Sequence, residues 1–164
     1  MQTCIGPSEE HVSMAGIPTE ASILDMVERA MPGRVQNVYA HSSGGGKFIA
    51  VIQFKKTVPS DEGRQRQAAL LAFSAFPELK QVILVDEDVD IFDTNDVLWA
   101  MTTRMQADVD IVTIPGVRCH PLDPSNDPAC SWSIRDHGIA CKTIYDATVP
   151  FNQKARFQRA KFME

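Results

Sequence analysis

The sequence lacks several features that would identify a function class at once. No apolar run approaches the roughly 20 residues of a membrane-spanning helix, so no membrane anchor is predicted. The N-terminus carries no secretion-signal pattern, and the four cysteines, at positions 4, 119, 130 and 141, form no CxxC pair. Such scattered thiols disfavour a zinc site and are typical of the reducing cytoplasm. The net charge of −5 argues against nucleic acid as a partner, and no internal repeat is visible.

What is present is the pattern of one α/β domain. Hydrophobic residues make up 44% of the 164 positions, enough for a sizeable core. Val82–Val85 is a short apolar run flanked by charge, which predicts a strand buried on both faces. Asp93 stands ahead of apolar positions at helical spacing that continue to Met105, so we expect it to be a helix N-cap. A strand, an acidic turn and a helix therefore form the centre of the domain.

The acidic turn between this strand and helix allows three interpretations. An EF-hand calcium loop fits Asp86, Asp88 and Asp90, but Ile91 stands where glycine is needed and Val97 where glutamate is needed, which excludes it. A metal–nucleotide site, as in sugar-nucleotide transferases, could use the first two aspartates. The residues alone favour helix capping together with a solvated acidic rim.

The remaining pattern predicts the order α-β-β-α-β-α-β-loop-β-α. We expect an α/β fold with a mixed sheet flanked by helices over residues 1–150, followed by a tail over 151–164. The other predicted elements are a loop at 5–16, a helix from the N-cap Thr19 to Pro32-Gly33, strands at 35–40 and 48–54, a helix capped by Ser60-Asp61-Glu62 and ended by Pro77, strands at 110–114 and 139–145 with a long loop at 115–138 between them, and a basic amphipathic helix in the tail.

The glycine-rich loop at residues 41–47 is not a P-loop. His41 occupies the first glycine position of that motif, Phe48 follows the lysine, and the next element is a strand. The glycines therefore favour a turn between strands. On residue type alone, Lys47 and the histidine His120 would each be solvated surface side chains.

Five stretches carry a resemblance that changes this assessment. They are ILVDEDVDIFDTNDVLWAMTTRM at 83–105, PGVRCHPLDP at 115–124, GPSEEHVSMAGIPTE at 6–20, HSSGGGKFIAVIQFKK at 41–56 and GIACKTIYDAT at 138–148. Together they resemble the C-terminal domain of the UbiD-type decarboxylases over essentially the whole chain. More narrowly, they resemble the catalytic C subunit of the branch that acts on 4-hydroxybenzoate, protocatechuate and gallate.

The resemblance implies a non-oxidative decarboxylase that uses prenylated flavin mononucleotide with a divalent metal and potassium. In that family an N-terminal and a middle domain bind the flavin and its ions and supply a Glu–Arg–Glu trio for catalysis. None of those motifs occurs here, so we expect this chain to be a fragment without catalytic residues and inactive alone. It would drive assembly into a dimer or higher oligomer and close over the aromatic acid.

By motif match, four residues would contact the substrate: His11, Lys47, His120 and the pocket-wall residue Leu122. Imidazole and ammonium groups suit this role because they can hydrogen-bond a phenol or phenolate near neutral pH. Two alternatives stay open, namely a pure assembly module and, less favoured, the nucleotide-sugar site at Asp86 and Asp88.

Overall fold

The computed structural model describes residues 9–118, 120, 123, 125 and 139–160. The α-helices are α1 (Glu9–Ala30), α2 (Arg64–Ala75), α3 (Thr94–Arg104) and the short α4 (Ala107–Asp110). The strands are β1 (Val35–Ala40), β2 (Ile49–Phe54), β3 (Gln81–Val85), β4 (Ile111–Arg118) and β5 (Ile139–Ala147). Among the described residues, 3-10 turns cover Ser42–Gly44, Pro59–Asp61 and Phe151–Arg156.

The five strands form one mixed sheet in the order β1-β2-β3-β5-β4. The three inner strands run parallel to one another, and each edge strand pairs antiparallel with its neighbour. This arrangement confirms the predicted α/β fold with a mixed sheet flanked by helices. Within the described ranges no helix is both long and apolar enough to cross a membrane.

Alternation along β3 explains why helices cover both faces of the sheet. Val82 and Leu84 belong to a core cluster with α1 and α2, whereas Ile83 and Val85 belong to a second cluster with α3. All four side chains are at most 6% exposed. The predicted burial of this strand on both faces is therefore confirmed. Burying one such aliphatic side chain stabilises the fold by about 1.5–3 kcal/mol.

The first helix differs from its prediction. It already includes Glu9, so the predicted loop is wrong for the residues that are described there, and Thr19 is not an N-cap. Thr19 lies fully buried inside the helix and donates a hydrogen bond from Oγ1 to the carbonyl of Ala15 at 2.7 Å. Pro18 removes the N–H that would pair with the carbonyl of Met14, and Met14 itself is 76% exposed.

Three further boundaries are wrong. α2 begins at Arg64 with Gly63 as its N-cap, so Ser60-Asp61-Glu62 does not cap it. β4 runs past Pro115 to Arg118, because a strand at the sheet edge tolerates a proline that donates no hydrogen bond. In the tail, only Phe151–Arg156 is helical among the described residues, and it is a 3-10 turn rather than an amphipathic α-helix. The predicted division of the chain at residue 150 stays a prediction.

Three predictions that rest on local sequence signals, by contrast, are confirmed. The side chain of Asp93 accepts a hydrogen bond from the backbone N–H of Asn95 at 2.9 Å, as an N-cap does. Gly33, at φ 71°, follows α1 and adopts the left-handed backbone that favours glycine at a helix end. The glycine loop before β2 turns between strands as predicted.

Candidate functional site

Lys47, Glu78 and His120 converge at the end of the sheet where its parallel strands begin. Nζ of Lys47 lies 3.7 Å from Oε2 of Glu78, and Nε2 of His120 lies 3.0 Å from Oε1. Each carboxylate oxygen therefore faces one nitrogen-bearing side chain. The three side chains are 17–32% exposed, so the cluster is accessible from solvent. The structure thus joins two residues that the motif match had placed together only by analogy.

Sheet topology explains this convergence. Lys47 precedes β2 and Glu78 precedes β3, so both stand where parallel strands begin. His120 follows β4, which runs antiparallel to β5 and therefore terminates at the same end of the sheet. Phe48 lies near both basic groups, with its ring centroid 5.9 Å from Nζ of Lys47 and 6.2 Å from the imidazole centroid of His120. An aromatic surface and polar groups thus meet at one place.

Glycine brings the Lys47 loop close to α1. Gly46 has φ 68°, and a Cβ there would lie 2.8 Å from the carbonyl oxygen of Val12. Only glycine fits such an approach without displacing the helix. The contact places the loop one residue away from His11 along α1. The side chain of His11 and the whole of Leu122 lie outside the described residues.

The turn that follows His120 is held by a second ion pair. Nζ of Lys80 lies 2.8 Å from Oδ2 of Asp123 and also contacts the hydroxyl of Ser125. The backbone N–H of Asp123 donates to the carbonyl of His120 at 3.1 Å. Burial opposes ionisation of Asp123, but the hydrogen bonds from Lys80 and Ser125 hold its pKa below the ordinary value. This carboxylate therefore anchors the turn in its charged form.

Glu78 is the residue of this cluster that the sequence analysis missed. It lies in the segment between α2 and β3, where the fully buried Leu79 separates Glu78 from Lys80. That alternation directs the two charged residues to the same side, towards His120 and Asp123. A polar–apolar–polar alternation immediately before a strand was the available signal, but it indicated no partner.

The acidic turn contains the confirmed helix cap Asp93, but its aspartate Asp86 is buried rather than solvated. Asp86 is only 3% exposed, and its Oδ2 accepts a hydrogen bond from the N–H of Val149 at 2.7 Å. Burial raises its pKa above the ordinary value, although this N–H bond and the nearby charges of Lys154 and Arg104 oppose the shift. Nη1 of Arg104 reaches Oδ2 of Asp86 at 3.2 Å. The solvated-rim interpretation is therefore wrong for Asp86.

The chain's own tail forms ion pairs with Glu87 of this turn and with Asp96 of α3. Lys154 contacts Glu87 at 2.9 Å, and Arg159 pairs with Asp96. The guanidinium of Arg159 also stacks over Trp99, with its Cζ 4.0 Å from the ring centroid. The tail thus lies across the acidic turn through ion pairs and one cation–π contact.

A metal–nucleotide site at this turn is not supported. Asp88 accepts both hydrogen bonds of the Arg104 fork, and Asp86 faces Arg104 and Lys154, so cations of the chain occupy the positions a metal would need. In the parts of the chain that the structure describes, no three His, Cys, Asp or Glu side chains are grouped to hold a metal ion.

The described residues also do not fit a flavin phosphate. Lys47 and Lys80 at the candidate site are each paired with a carboxylate, so neither contributes excess positive charge. A concavity along α1 is lined by Asp25, Glu28 and Arg29, and because Arg29 pairs with Asp25 it offers a phosphate no excess positive charge. What the Lys47–Glu78–His120 cluster can do is donate hydrogen bonds to a small polar aromatic molecule beside Phe48.

Comparisons with known proteins identify the family to which this fold belongs. The family described as 3-octaprenyl-4-hydroxybenzoate carboxy-lyase C-terminal domain matches residues 12–147. The gallate decarboxylase of Lactiplantibacillus plantarum is 62% identical over 100% of this chain and 34% of its own length. The apo structure of a 3,4-dihydroxybenzoic acid decarboxylase from Enterobacter cloacae has 65% identity and a TM-score of 0.92, covering 98% of this chain and 33% of that one.

A more distant structure has the same fold with a flavin bound. The UbiD-class enzyme HmfF from Pelotomaculum thermopropionicum, solved in complex with FMN, has 35% identity and a TM-score of 0.82, covering 94% of this chain and 32% of that one. The chain spans about a third of the length of the relatives that it matches. Because the family profile matches most of the chain and the fold agrees with solved members, the chain belongs to the UbiD carboxy-lyase family and has the fold of that family's C-terminal domain.

Proposed function

We propose that this chain is the C-terminal domain of a non-oxidative decarboxylase of hydroxylated benzoates such as gallate, protocatechuate or 4-hydroxybenzoate. The observation that carries the proposal is the convergence of Lys47 and His120 on Glu78, beside an aromatic ring. The names of the relatives that are at least 62% identical support the substrate class, since they act on gallate and 3,4-dihydroxybenzoate.

In this proposal the domain binds the hydroxylated end of the substrate. Loss of carbon dioxide from a ring leaves negative charge that the complete enzyme must delocalise. The ammonium of Lys47 can donate to a phenolate oxygen, and the imidazole of His120 can accept from a phenol or donate to a phenolate. His11 and Leu122 complete the proposed contacts, by hydrogen bonding and by covering the ring. Prenylated flavin, a divalent metal and potassium would be bound by other domains, and this chain's residues are assigned no step with them.

Such a site selects against acids that lack hydroxyl groups. A polar side chain that is desolvated by a bound ring but finds no partner costs roughly 1–3 kcal/mol, and each 1.4 kcal/mol is about a tenfold loss of kcat/KM. Lys47 and His120 would each keep their contact with Glu78 but lose hydrogen bonds to water when an unhydroxylated ring binds beside them, and that loss is the penalty. Discrimination therefore arises from unpaired polar groups as much as from new hydrogen bonds.

A second candidate function is that of an assembly module. Along α1 the apolar residues Met14, Ile17 and Leu24 are 76%, 69% and 39% exposed, which is unusual for residues of this size at helical spacing. Other domains of the enzyme or a second copy, as a dimer or higher oligomer, would bury this surface. Such a role is compatible with substrate binding, but alone it would not involve Lys47.

Substitution of Lys47 separates the two functions. In the complete flavin-loaded enzyme, Lys47→Met should lower kcat/KM for gallate and protocatechuate by about tenfold or more. An aromatic acid without hydroxyls should be affected much less, and the oligomer size by light scattering should not change. Lys55→Met is the matched control, because Lys55 is exposed at the opposite end of β2. Unchanged turnover in Lys47→Met would remove the substrate-binding proposal and leave the assembly module.

A further inference from the structure

We propose that Glu78 is the positioning residue of this site, and that it holds the His120 imidazole by Nε2 so that Nδ1 meets the substrate hydroxyl. The inference rests on the proposed function and names the residue that sets the orientation of the His120 imidazole. Glu78 contacts both basic side chains, through separate oxygens, at 3.0 Å and 3.7 Å. It would act through them and would not touch the substrate itself.

The hydrogen-bond donors and acceptors of the Glu78–His120 pair determine which imidazole nitrogen is left to face the substrate. An ionised carboxylate only accepts hydrogen bonds, so the 3.0 Å contact from Oε1 of Glu78 places a proton on Nε2 of His120. A neutral imidazole in this tautomer accepts at Nδ1, which suits a phenolic O–H. A protonated one donates at Nδ1, which suits a phenolate. Both states therefore meet the substrate through the same ring nitrogen.

The support of Glu78 is rigid enough to fix an orientation. The N–H groups of Lys80 and Gln81 both donate to the carbonyl of Phe48 at 2.9 Å, and that of Leu79 donates to Phe76 at 3.0 Å. The side chain of Leu79 is fully buried. The segment that carries Glu78 is therefore tied to α2 on one side and to the strand that begins beside Lys47 on the other.

The neighbouring Lys80–Asp123 pair provides an internal comparison. Nζ of Lys80 lies 2.8 Å from Oδ2 of Asp123, so this pair links the same two segments that Glu78 and His120 link. Neither Lys80 nor Asp123 is paired with the imidazole through its side chain, so the pair holds the segments together without orienting the ring. A residue that only holds the segments together should behave like Lys80. A residue that positions the imidazole should behave differently towards hydroxylated substrates.

The test uses Glu78→Ala, Glu78→Gln and Lys80→Met in the complete flavin-loaded enzyme. Glu78→Ala should lower kcat/KM for protocatechuate by about tenfold while an unhydroxylated aromatic acid changes little. Glu78→Gln keeps an oxygen that accepts from Nε2–H, so it should restore most of that loss. Lys80→Met should lower the melting temperature and affect both substrates to the same extent.

A double-mutant cycle then asks whether Glu78 acts through the imidazole. Asn at position 120 keeps a polar atom near the place of Nδ1 but has no atom at the place of Nε2. Glu78→Ala should therefore cost much less hydroxyl selectivity in the His120→Asn background than in the parent enzyme. Equal costs in both backgrounds, or equal losses on both substrates, would overturn the inference. If instead His120→Leu alone leaves selectivity unchanged, the proposed function fails first.

Discussion

Arg104 holds Asp88 through two hydrogen bonds, from Nη1 to Oδ1 at 2.9 Å and from Nη2 to Oδ2 at 2.6 Å. The side chain of Arg104 is only 2% exposed, and its Cζ lies 4.9 Å from the Trp99 ring centroid. These contacts hold the pKa of Asp88 below its ordinary value, mainly through the hydrogen bonds from Arg104 and against the effect of burial. The most acidic stretch of the chain is therefore an internal ion-pair network.

Asp88 should contribute more to stability than the helix cap Asp93. Asp88→Ala leaves a buried guanidinium with half of its partners and should cost roughly 1–3 kcal/mol. Asp93→Ala removes one cap bond and should cost about 1 kcal/mol. Denaturant unfolding of the two variants measures both values. A smaller loss of stability for Asp88→Ala than for Asp93→Ala would mean that the Asp88 side chain is solvated, as the sequence alone indicated.

Two buried aspartates should respond to acid with opposite signs. Burial alone would raise the pKa of Asp61, but hydrogen bonds from the N–H groups of Thr57 and Val58 bring it below the ordinary 3.8. Its stabilisation is therefore present above pH 3.8 and is lost as the pH falls through the lower folded pKa. The stability advantage of the wild type over Asp61→Asn should shrink accordingly.

For Asp86 the folded pKa lies above 3.8, because burial dominates. Its carboxylate therefore destabilises the fold above the folded pKa, and this penalty disappears as the pH falls towards 3.8. Relative to wild type, Asp86→Asn should be most favoured near neutral pH and lose that relative gain in acid. Unfolding curves across the acidic range check both aspartates, and slopes of the same sign would contradict the assignment.

Gly46 should be more sensitive to substitution than other glycines in the left-handed region. Alanine at Gly46 or Gly33 costs about 1–2 kcal/mol of backbone strain, since both have positive φ. Only at Gly46 does the new Cβ also meet the Val12 carbonyl, at 2.8 Å, whereas no atom lies within 4 Å at Gly33. Gly46→Ala should therefore lose at least about 1 kcal/mol more stability than Gly33→Ala. Equal losses of stability for the two variants in thermal unfolding would mean that Gly46 does not lie against α1.

The parts of the fold with local causes could be predicted from the sequence. The strand at Val82–Val85 and the cap at Asp93 follow from residues within a few positions of each other, and both are confirmed. The start of α1 could not be predicted, because Pro18 is typical of a helix start and yet lies inside α1, where Met14, the residue whose carbonyl loses its helical partner, is exposed. The burial of Asp86 was also hidden, since its partners Arg104 and Lys154 come from distant segments.

The candidate site shows the same limit. Residue type alone indicated that Lys47 and His120 are solvated, and only the family motif joined them. Glu78 could not be recognised because its two partners reach it through sheet topology rather than through sequence spacing. Its position beside the buried Leu79 indicated where it would point but not what it would contact.

The proposed role of His120 can be compared with that of a histidine that the structure uses for packing. His41 contacts Thr94 through Nε2 at 2.8 Å and accepts the Ser43 N–H at Nδ1, so both ring nitrogens serve the fold. His41→Leu should lower the melting temperature and depress all substrates alike. This variant therefore shows what a purely structural histidine does in the same enzyme.

The most direct test is the substrate selectivity of His120→Leu in the complete flavin-loaded enzyme. If the imidazole holds a ring hydroxyl, kcat/KM for protocatechuate should fall by a factor that corresponds to roughly 1–3 kcal/mol, about tenfold for each 1.4 kcal/mol. An aromatic acid without hydroxyls should lose far less, and the melting temperature should stay near that of the wild type. Equal losses on both substrates with a lowered melting temperature, as expected for His41→Leu, would contradict the proposal that this domain recognises the hydroxylated ring.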